Sequence, residues 1–230
     1  MNEQLPLGLQ LRPSARFSGF VPGRQHELYR QLQQVAAGDA AGPLYCWGRP
    51  GTGKTHLLQA SCHHAGEHGR SAAYLSLRDA PQLAPAVLGG WESFALVCLD
   101  DIEAVAGQPV WEEALFHLYN RLHENAGALL VSAAVAPAQL PIQLPDLVSR
   151  LAAGPVYQLH PLDEADSLEA MRRRARQRGF ELPEDTARYL LKRLPRDLPA
   201  LMALLERLDT ASLAAQRRLT VPFVKSVLDL

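Results

Sequence analysis

The sequence predicts an α/β fold: a core with a parallel sheet, followed by a small all-helical domain. Three observations carry that prediction. The first is Gly48-Arg49-Pro50-Gly51-Thr52-Gly53-Lys54-Thr55, which follows the apolar run Leu44-Tyr45-Cys46-Trp47 and precedes the helical pattern His56-Leu57-Leu58-Gln59-Ala60. A glycine-rich turn with that spacing, set between strand and helix, is the phosphate-loop pattern. The second is Phe94-Ala95-Leu96-Val97-Cys98-Leu99, a continuous apolar run ending in Asp100-Asp101. Such a run suits the centre of a parallel sheet, and α/β folds place ligands beyond the carboxyl ends of their strands. The third is that only helical periodicity is found from Leu162 onward.

Each part of the loop has a chemical reason. Glycines at its first and sixth positions, Gly48 and Gly53, let the backbone wrap so that N–H groups point at phosphate oxygens, and the positive end of the next helix adds to the attraction. The candidate nucleotide-binding residues are Gly48, Pro50, Gly51, Thr52, Gly53, Lys54, Thr55 and His56. Lys54 is placed to reach the β- and γ-phosphates, and the Thr55 hydroxyl to ligate Mg²⁺. Of the two aspartates, Asp100 suits Mg²⁺ and Asp101 suits orienting a water for attack on the γ-phosphate. Ser132, in a buried strand over 128–133, is a candidate to touch the γ-phosphate or a bound water; the alternative is a hydroxyl satisfied by backbone. Upstream, Phe17-Ser18-Gly19-Phe20-Val21-Pro22-Gly23 forms an apolar turn whose Phe20 and Val21 are candidates to cover the base.

The chain has 230 residues and a formal net charge of −1. A chain of this size can bury ~70–75% of its unfolded surface, so core supply is not limiting. Near-neutral charge argues against a general nucleic-acid binder held by phosphate contacts. Of the three cysteines, Cys46 and Cys98 lie in apolar strand-like runs and Cys62 on the helix after the loop. Reduced, mostly buried thiols in the cytoplasm are the expectation. Cys62-His63-His64 with His68 raises a metal site, but Gly66 is expected to interrupt the helix and no second ligand pair follows, so an ordinary polar helix end is preferred. With no apolar run of ~18 residues and no basic leader before an apolar stretch, neither a spanning nor a secreted protein is expected.

In chain order, residues 1–16 are expected to be a flexible tail. Within it, Gln4-Leu5-Pro6-Leu7-Gly8-Leu9 places leucines at alternate positions. That strip either docks into an apolar pocket of another protein or folds back on its own domain. A nucleotide-binding domain over 17–161 contains helices over 25–37 (face Leu28, Leu32, Val35) and 109–125 (face Val110, Ala114, Leu118, Leu122, with Phe116 and Tyr119 beside it). It also contains strands over 71–77 and 156–159, a weaker helix over 81–88 closed by Gly89-Gly90, and a short helix over 146–151 carrying Arg150. The helical domain, 162–230, starts at an Asp163 N-cap, with helices to about 178 (ended by Gly179), 184–194, 198–214 and a last one capped by Thr220. Arg172, Arg173, Arg174, Arg176 and Arg178 surround their helix and are read as a solvated face in preference to a nucleic-acid site.

With both phosphate motifs placed, the chain resembles the DnaA-related AAA+ ATPase family, the replication-initiator group, over nearly its whole length. Further residues that carry the resemblance are Phe17-x-x-Phe20-Val21-x-Gly23, Leu115-Phe116-His117-Leu118-Tyr119-Asn120-Arg121-Leu122, Asp146-Leu147-Val148-Ser149-Arg150-Leu151, and the tail from Arg178-Gly179-Phe180-Glu181 to Val221-Pro222-Phe223-Val224-Lys225. Within that family it is most similar to the DnaA regulatory inactivators. Initiators continue into a helix-turn-helix DNA-binding domain, whereas this sequence stops at Leu230. Inactivators carry an N-terminal peptide that binds the DNA polymerase III beta sliding clamp, and Gln4, Leu5, Leu7 and Leu9 match it.

The resemblance implies a negative regulator of bacterial replication initiation, cytoplasmic, holding ADP or ATP with Mg²⁺. Its implied partners are the sliding clamp and the initiator DnaA, with a homodimer possible and no sequence-specific DNA binding or membrane contact. Arg150 matches the arginine finger that acts on ATP held by the initiator; the alternative for this side chain is a pair with Asp146 one turn earlier. Departures from the family fall at Ala134, where an acidic sensor is expected, at Pro199, where a lid arginine is expected and only Arg196 is near, and at the tail spacers Pro6 and Gly8. The first two imply weak ATPase activity of its own. The competing function is a helicase-loader-like AAA+ ATPase acting on DNA or a helicase by its own turnover, which intact Lys54, Thr55, Asp100 and Asp101 would serve.

Overall fold

The computed structural model describes residues 11–40, 42–193 and 198–228. They fall into two compact units, one from residues 11–17 and 25–159, the other from 18–24 and 160–228.

Five strands form the first unit's sheet: β1 (Pro43–Gly48), β2 (Ala72–Ser76), β3 (Leu96–Asp100), β4 (Ala128–Ala133) and β5 (Val156–Leu159). All pairings are parallel, in the order β2-β3-β4-β1-β5. Every residue of β3 and β4 is buried, as expected for apolar runs covered on both faces. Because β1 pairs with β4 on one side and β5 on the other, the strand order reverses beside the phosphate loop, where α/β sheets open a crevice at their carboxyl edge. Register does the rest, setting Cys46 opposite Ser132 and Leu99 opposite Val131. The loop after Gly48, the aspartates after Leu99 and Ser132 thereby share one edge.

The helices of this unit are α1 (His26–Ala37), α2 (Lys54–Glu67), α3 (Pro109–Glu124) and α4 (Pro145–Leu151). Leu28, Leu32 and Val35 are buried on α1, as their spacing predicts. On α3 the spacing misleads. Val110 is 66% exposed, and the buried face is Trp111, Leu115, Leu118, Tyr119 and Leu122, rotated by one residue at the start of the helix. Trp111 joins Tyr45, Leu99, Val131, Leu147 and Leu151 in one core cluster, so the larger ring takes the place assigned to valine. The helix expected over 81–88 is replaced by two short 3₁₀ turns, Leu77–Gln82 and Pro85–Leu88, with a third, Trp91–Ser93, after it. Pro81 and Pro85 each remove an N–H that an α-helix would need, and tight turns are what remain. Gly66 does not break α2; the chain turns at Gly69, with φ of +70°.

The second unit holds α5 (Glu164–Gln177), α6 (Glu184–Arg193), α7 (Leu198–Ala215) and α8 (Val221–Leu228) around Met171, Leu190, Leu205, Leu208, Phe223 and Val224. Asp163 accepts the N-cap hydrogen bond from the Asp166 amide at 2.9 Å. The arginine-rich α5 is not a plain solvated face. Arg174 reaches Glu206 and Arg178 reaches Asp209 on α7, each at 2.7 Å, while Arg173 donates to the Phe20 carbonyl at 3.0 Å. Among the described residues no helix is long and apolar enough to cross a membrane.

One glycine is fixed by packing in the sheet. A Cβ on Gly48 would lie 2.5 Å from the carbonyl oxygen of Leu159 on the paired strand β5, and a backbone atom in a parallel ladder has little room to retreat. Gly48→Ala is therefore expected to destabilise the fold by ~1–3 kcal/mol, read as a lower denaturation midpoint with unchanged slope. An unchanged midpoint would show that the strands separate freely there.

Candidate functional site

The phosphate loop is shaped by two left-handed glycines, Gly51 at φ +82° and Gly53 at φ +96°. Gly53 occupies the N-cap of α2 without a side chain to cap it, which leaves first-turn N–H groups facing the loop. Thr52 turns its hydroxyl inward, onto the Arg49 carbonyl at 2.9 Å. Lys54 is 7% exposed, and its ammonium donates to the Gly48 carbonyl at 2.7 Å and to Arg49 at 3.2 Å. These carbonyls hold the cation over the loop, where a phosphate would meet it. His56 points elsewhere: Nε2 donates to the Arg16 carbonyl at 2.9 Å, so any share it takes in a nucleotide is through its backbone. Phe20 and Val21 are buried and belong to the second unit.

The aspartates at the end of β3 differ in every respect. Asp100 is 1% exposed and accepts from the Tyr74 hydroxyl at 2.9 Å and, on its other oxygen, from the Ser132 hydroxyl. Its direct hydrogen-bond partners are thus neutral. A buried carboxylate with neutral donors is costly, and a divalent cation beside it would offset that cost, so the chemistry of Asp100 fits a share in holding Mg²⁺. Ser132 uses its oxygen twice, donating to Asp100 and accepting from the Asp101 amide at 3.1 Å. The hydroxyl therefore locks both aspartates in place. Burial, then the Asp100 charge, push the neighbouring Cys46 thiol up to about 12, with Lys54 opposing, which leaves this cysteine inert. The three cysteines are free and buried, and among the described residues no group of three or more His, Cys, Asp or Glu side chains converges as a metal site.

Asp101 sits in the left-handed region, φ +58°, a conformation that Asp tolerates better than most residues. Its carboxylate is gripped by Arg78 through two contacts, 2.6 Å from Nε and 3.3 Å from Nη2. Burial and the charge of Asp100 raise the Asp101 pKa, and Arg78 pulls it back down. Neither Tyr74 nor Arg78 stands out in the sequence. The only usable signal is a lone tyrosine in the strand paired with β3, since β2 aligns Tyr74 with Cys98 and Ser76 with Asp100.

Arg150 lies in the last turn of α4 with its side chain exposed. The guanidinium carbon is 5.6 Å from the centroid of the Tyr119 ring, within cation–π range. No carboxylate among the described residues pairs with it, so the alternative of a bond to Asp146 is not realised. Ala134, where the resemblance leads one to expect an acidic sensor, is partly buried just after β4. Gln4, Leu5, Leu7, Leu9 and Arg196 lie outside the described residues, as does the side chain of Pro199.

Asp101 yields a pH prediction. Its folded pKa is above the ordinary 3.8, so as pH rises the unfolded chain releases this proton first. Between the two values the folded state holds more protons, and stability falls with rising pH across that window. Arg78→Ala removes the charge that lowers the folded value, so the window should extend upward and the loss at neutral pH should deepen. Denaturation midpoints measured over a pH series test this; identical profiles for both proteins would contradict it.

Comparisons with known proteins place these features. The family described as bacterial DnaA ATPase domain matches residues 11–79, and the family described as Hda, lid domain, matches residues 163–228. Domain III of the Thermotoga maritima replication initiation protein DnaA superposes with a TM-score of 0.82 at 23% identity, covering 96% of this chain and 98% of that one. AMPPCP-bound DnaA from Aquifex aeolicus gives 0.72 at 24% identity, over 85% of this chain and 66% of that one. The Thermotoga maritima RuvB Holliday junction branch migration motor gives 0.67 at 17% identity, over 93% and 73%. At such identities the structures establish the fold, a parallel five-stranded AAA+ core followed by a helical lid, and the ATPase-domain match implies nucleotide binding. The phosphate loop, the aspartate pair and the two family matches together identify the chain as a DnaA-related AAA+ protein with a lid of the Hda type.

Proposed function

We propose that this chain is a cytoplasmic negative regulator of replication initiation, which docks on the DNA polymerase III beta sliding clamp and stimulates hydrolysis of ATP bound to the initiator DnaA. The observation that carries the reading is Arg150: an exposed guanidinium with no acidic partner among the described residues, backed by an aromatic ring. Supplied to another subunit's nucleotide, such a cation stabilises charge developing on γ-phosphoryl oxygens and is worth ~10³ to 10⁵ in rate. Gln4, Leu5, Leu7 and Leu9 would hold the chain on the clamp and so raise its local concentration near the initiator.

The chain's own nucleotide has a structural part in this account. Lys54 and the loop amides would hold the phosphates of ADP or ATP, and Thr55 and Asp100 would hold Mg²⁺, which would supply positive charge against those phosphates. Asp101, the candidate to orient an attacking water, is instead occupied by Arg78, and Ala134 offers no acidic sensor. Binding without rapid turnover is the consistent outcome. The second reading, a helicase-loader-like ATPase, is favoured by Lys54 held over the phosphate loop and by the Asp100–Ser132 pair. Strong turnover by the isolated protein, stimulated by single-stranded DNA, would support it.

The deciding experiment mixes the protein with clamp loaded on DNA and ATP-bound DnaA and follows phosphate release. Arg150→Ala should reduce the stimulated rate by ~10³-fold or more, and removal of residues 1–10 should abolish dependence on the clamp. Wild-type stimulation by either variant would defeat the corresponding half of the proposal.

A further inference from the structure

Helix α4 is only 7 residues long, and its N-cap Leu144 offers no capping side chain. A helix this short has no independent stability, so the direction of Arg150 must come from what α4 rests on. Its N-terminal end rests on Glu112 of α3. Glu112 is 1% exposed and has no cationic partner among the described residues; both oxygens are spent on backbone N–H groups. Oε1 accepts from Gly107 at 2.7 Å and Gln143 at 3.1 Å, and Oε2 accepts from Gln143 and Leu144, each at 2.9 Å. The Gln143 side chain closes the ring by donating to the Gly107 carbonyl at 3.4 Å. The other end of α4 meets Tyr119, seven residues along α3 from Glu112 and hence two turns away on the same face. Between these supports, Leu147 and Leu151 enter the same core cluster as Leu115 and Leu118.

We infer that Glu112 and Tyr119 are positioning residues for Arg150: the buried carboxylate fixes where α4 begins, and the aromatic ring fixes the guanidinium's bearing at its end. The inference deepens the proposed function and rests on it. A bare carboxylate is the group this place requires, because three N–H donors converge on it from two loops. Glutamine there would turn its own NH₂ toward one of those donors, leaving a donor–donor conflict and a looser start to α4. The phosphate loop and the aspartates are held by other contacts, from Tyr74, Ser132 and the loop carbonyls, so the effect should fall on the arginine and spare the chain's own nucleotide.

The test is single-turnover hydrolysis of DnaA-bound ATP on clamp-loaded DNA, titrated with Glu112→Gln, Tyr119→Leu, Tyr119→Phe, Arg150→Ala and the Glu112→Gln/Arg150→Ala double variant. ADP binding to each variant serves as the check on folding and on the nucleotide site. Misplacement by about an ångström should lower the maximal stimulated rate of Glu112→Gln by ~10²-fold, with half-saturating concentration and ADP affinity within about twofold of wild type. Tyr119→Leu should lose ~2- to 5-fold in maximal rate, while Tyr119→Phe, which keeps the ring, should stay near wild type. In the double variant, Glu112→Gln should add nothing to the Arg150→Ala defect. Full maximal rates in Glu112→Gln and Tyr119→Leu alongside a defective Arg150→Ala would overturn the inference, as would a Glu112→Gln defect that adds to that of Arg150→Ala. If Glu112→Gln fails to bind ADP, the leucine and phenylalanine variants at 119 decide alone. Wild-type stimulation by Arg150→Ala would sink the proposed function itself, a separate result.

Discussion

A carboxylate buried at the edge of a parallel sheet and bonded to neutral donors is the constraint around which the nucleotide end of this protein is built. Asp100 is almost wholly shut off from solvent and among the described residues no arginine or lysine bonds to it, so Tyr74 and Ser132 hold it in register, one from each neighbouring strand. That requirement explains why β2, β3 and β4 must align as they do. A slip of one residue would turn Ser132 to the opposite face and leave a charged oxygen without a donor. The same arrangement leaves the carboxylate without a bonded positive charge among the described residues, which suits it to a divalent cation.

Asp101, one residue further along, is the opposite case. It leaves the strand in a left-handed turn and is met by a guanidinium from the loop after β2. Adjacent identical residues thus acquire different chemistry from their neighbours: Asp100 is held by hydroxyl groups, and Asp101 by a cation. Glu112 supplies a third solution to the same problem, a buried carboxylate satisfied by backbone amides. It does so at the base of α4, whose last turn bears Arg150. In the proposed account the protein therefore keeps two centres, a quiet nucleotide site of its own and a cation held out for another subunit. Both depend on carboxylates kept out of water.

Much of this was legible in the residues. The phosphate loop announces itself by spacing, the β3 run by its unbroken apolar character, and the helical lid by a change of period after Leu162. What stayed hidden has identifiable causes. Amphipathic counting placed Val110 on the buried face of α3 because it ignores size, and Trp111 takes the core instead. The segment over 81–88 has helical spacing, but its prolines restrict it to tight turns. Tyr74 and Arg78 meet partners 26 and 23 residues distant in sequence, and Glu112 reaches Gln143 and Leu144 at 31 and 32 residues, meetings that no local pattern encodes. The glycines of the loop prove unlike one another as well, Gly53 turning the backbone and Gly48 making room for β5.

The central claim is that the ATP consumed belongs to the partner and not to this chain. It is tested most directly by charging DnaA with γ-labelled ATP, charging this protein separately with an unlabelled non-hydrolysable analogue, and combining them on clamp-loaded DNA. The account predicts rapid release of labelled phosphate at the rate seen when this chain carries ADP. Failure to release label under those conditions, with phosphate appearing only when this chain itself holds hydrolysable ATP, would contradict it.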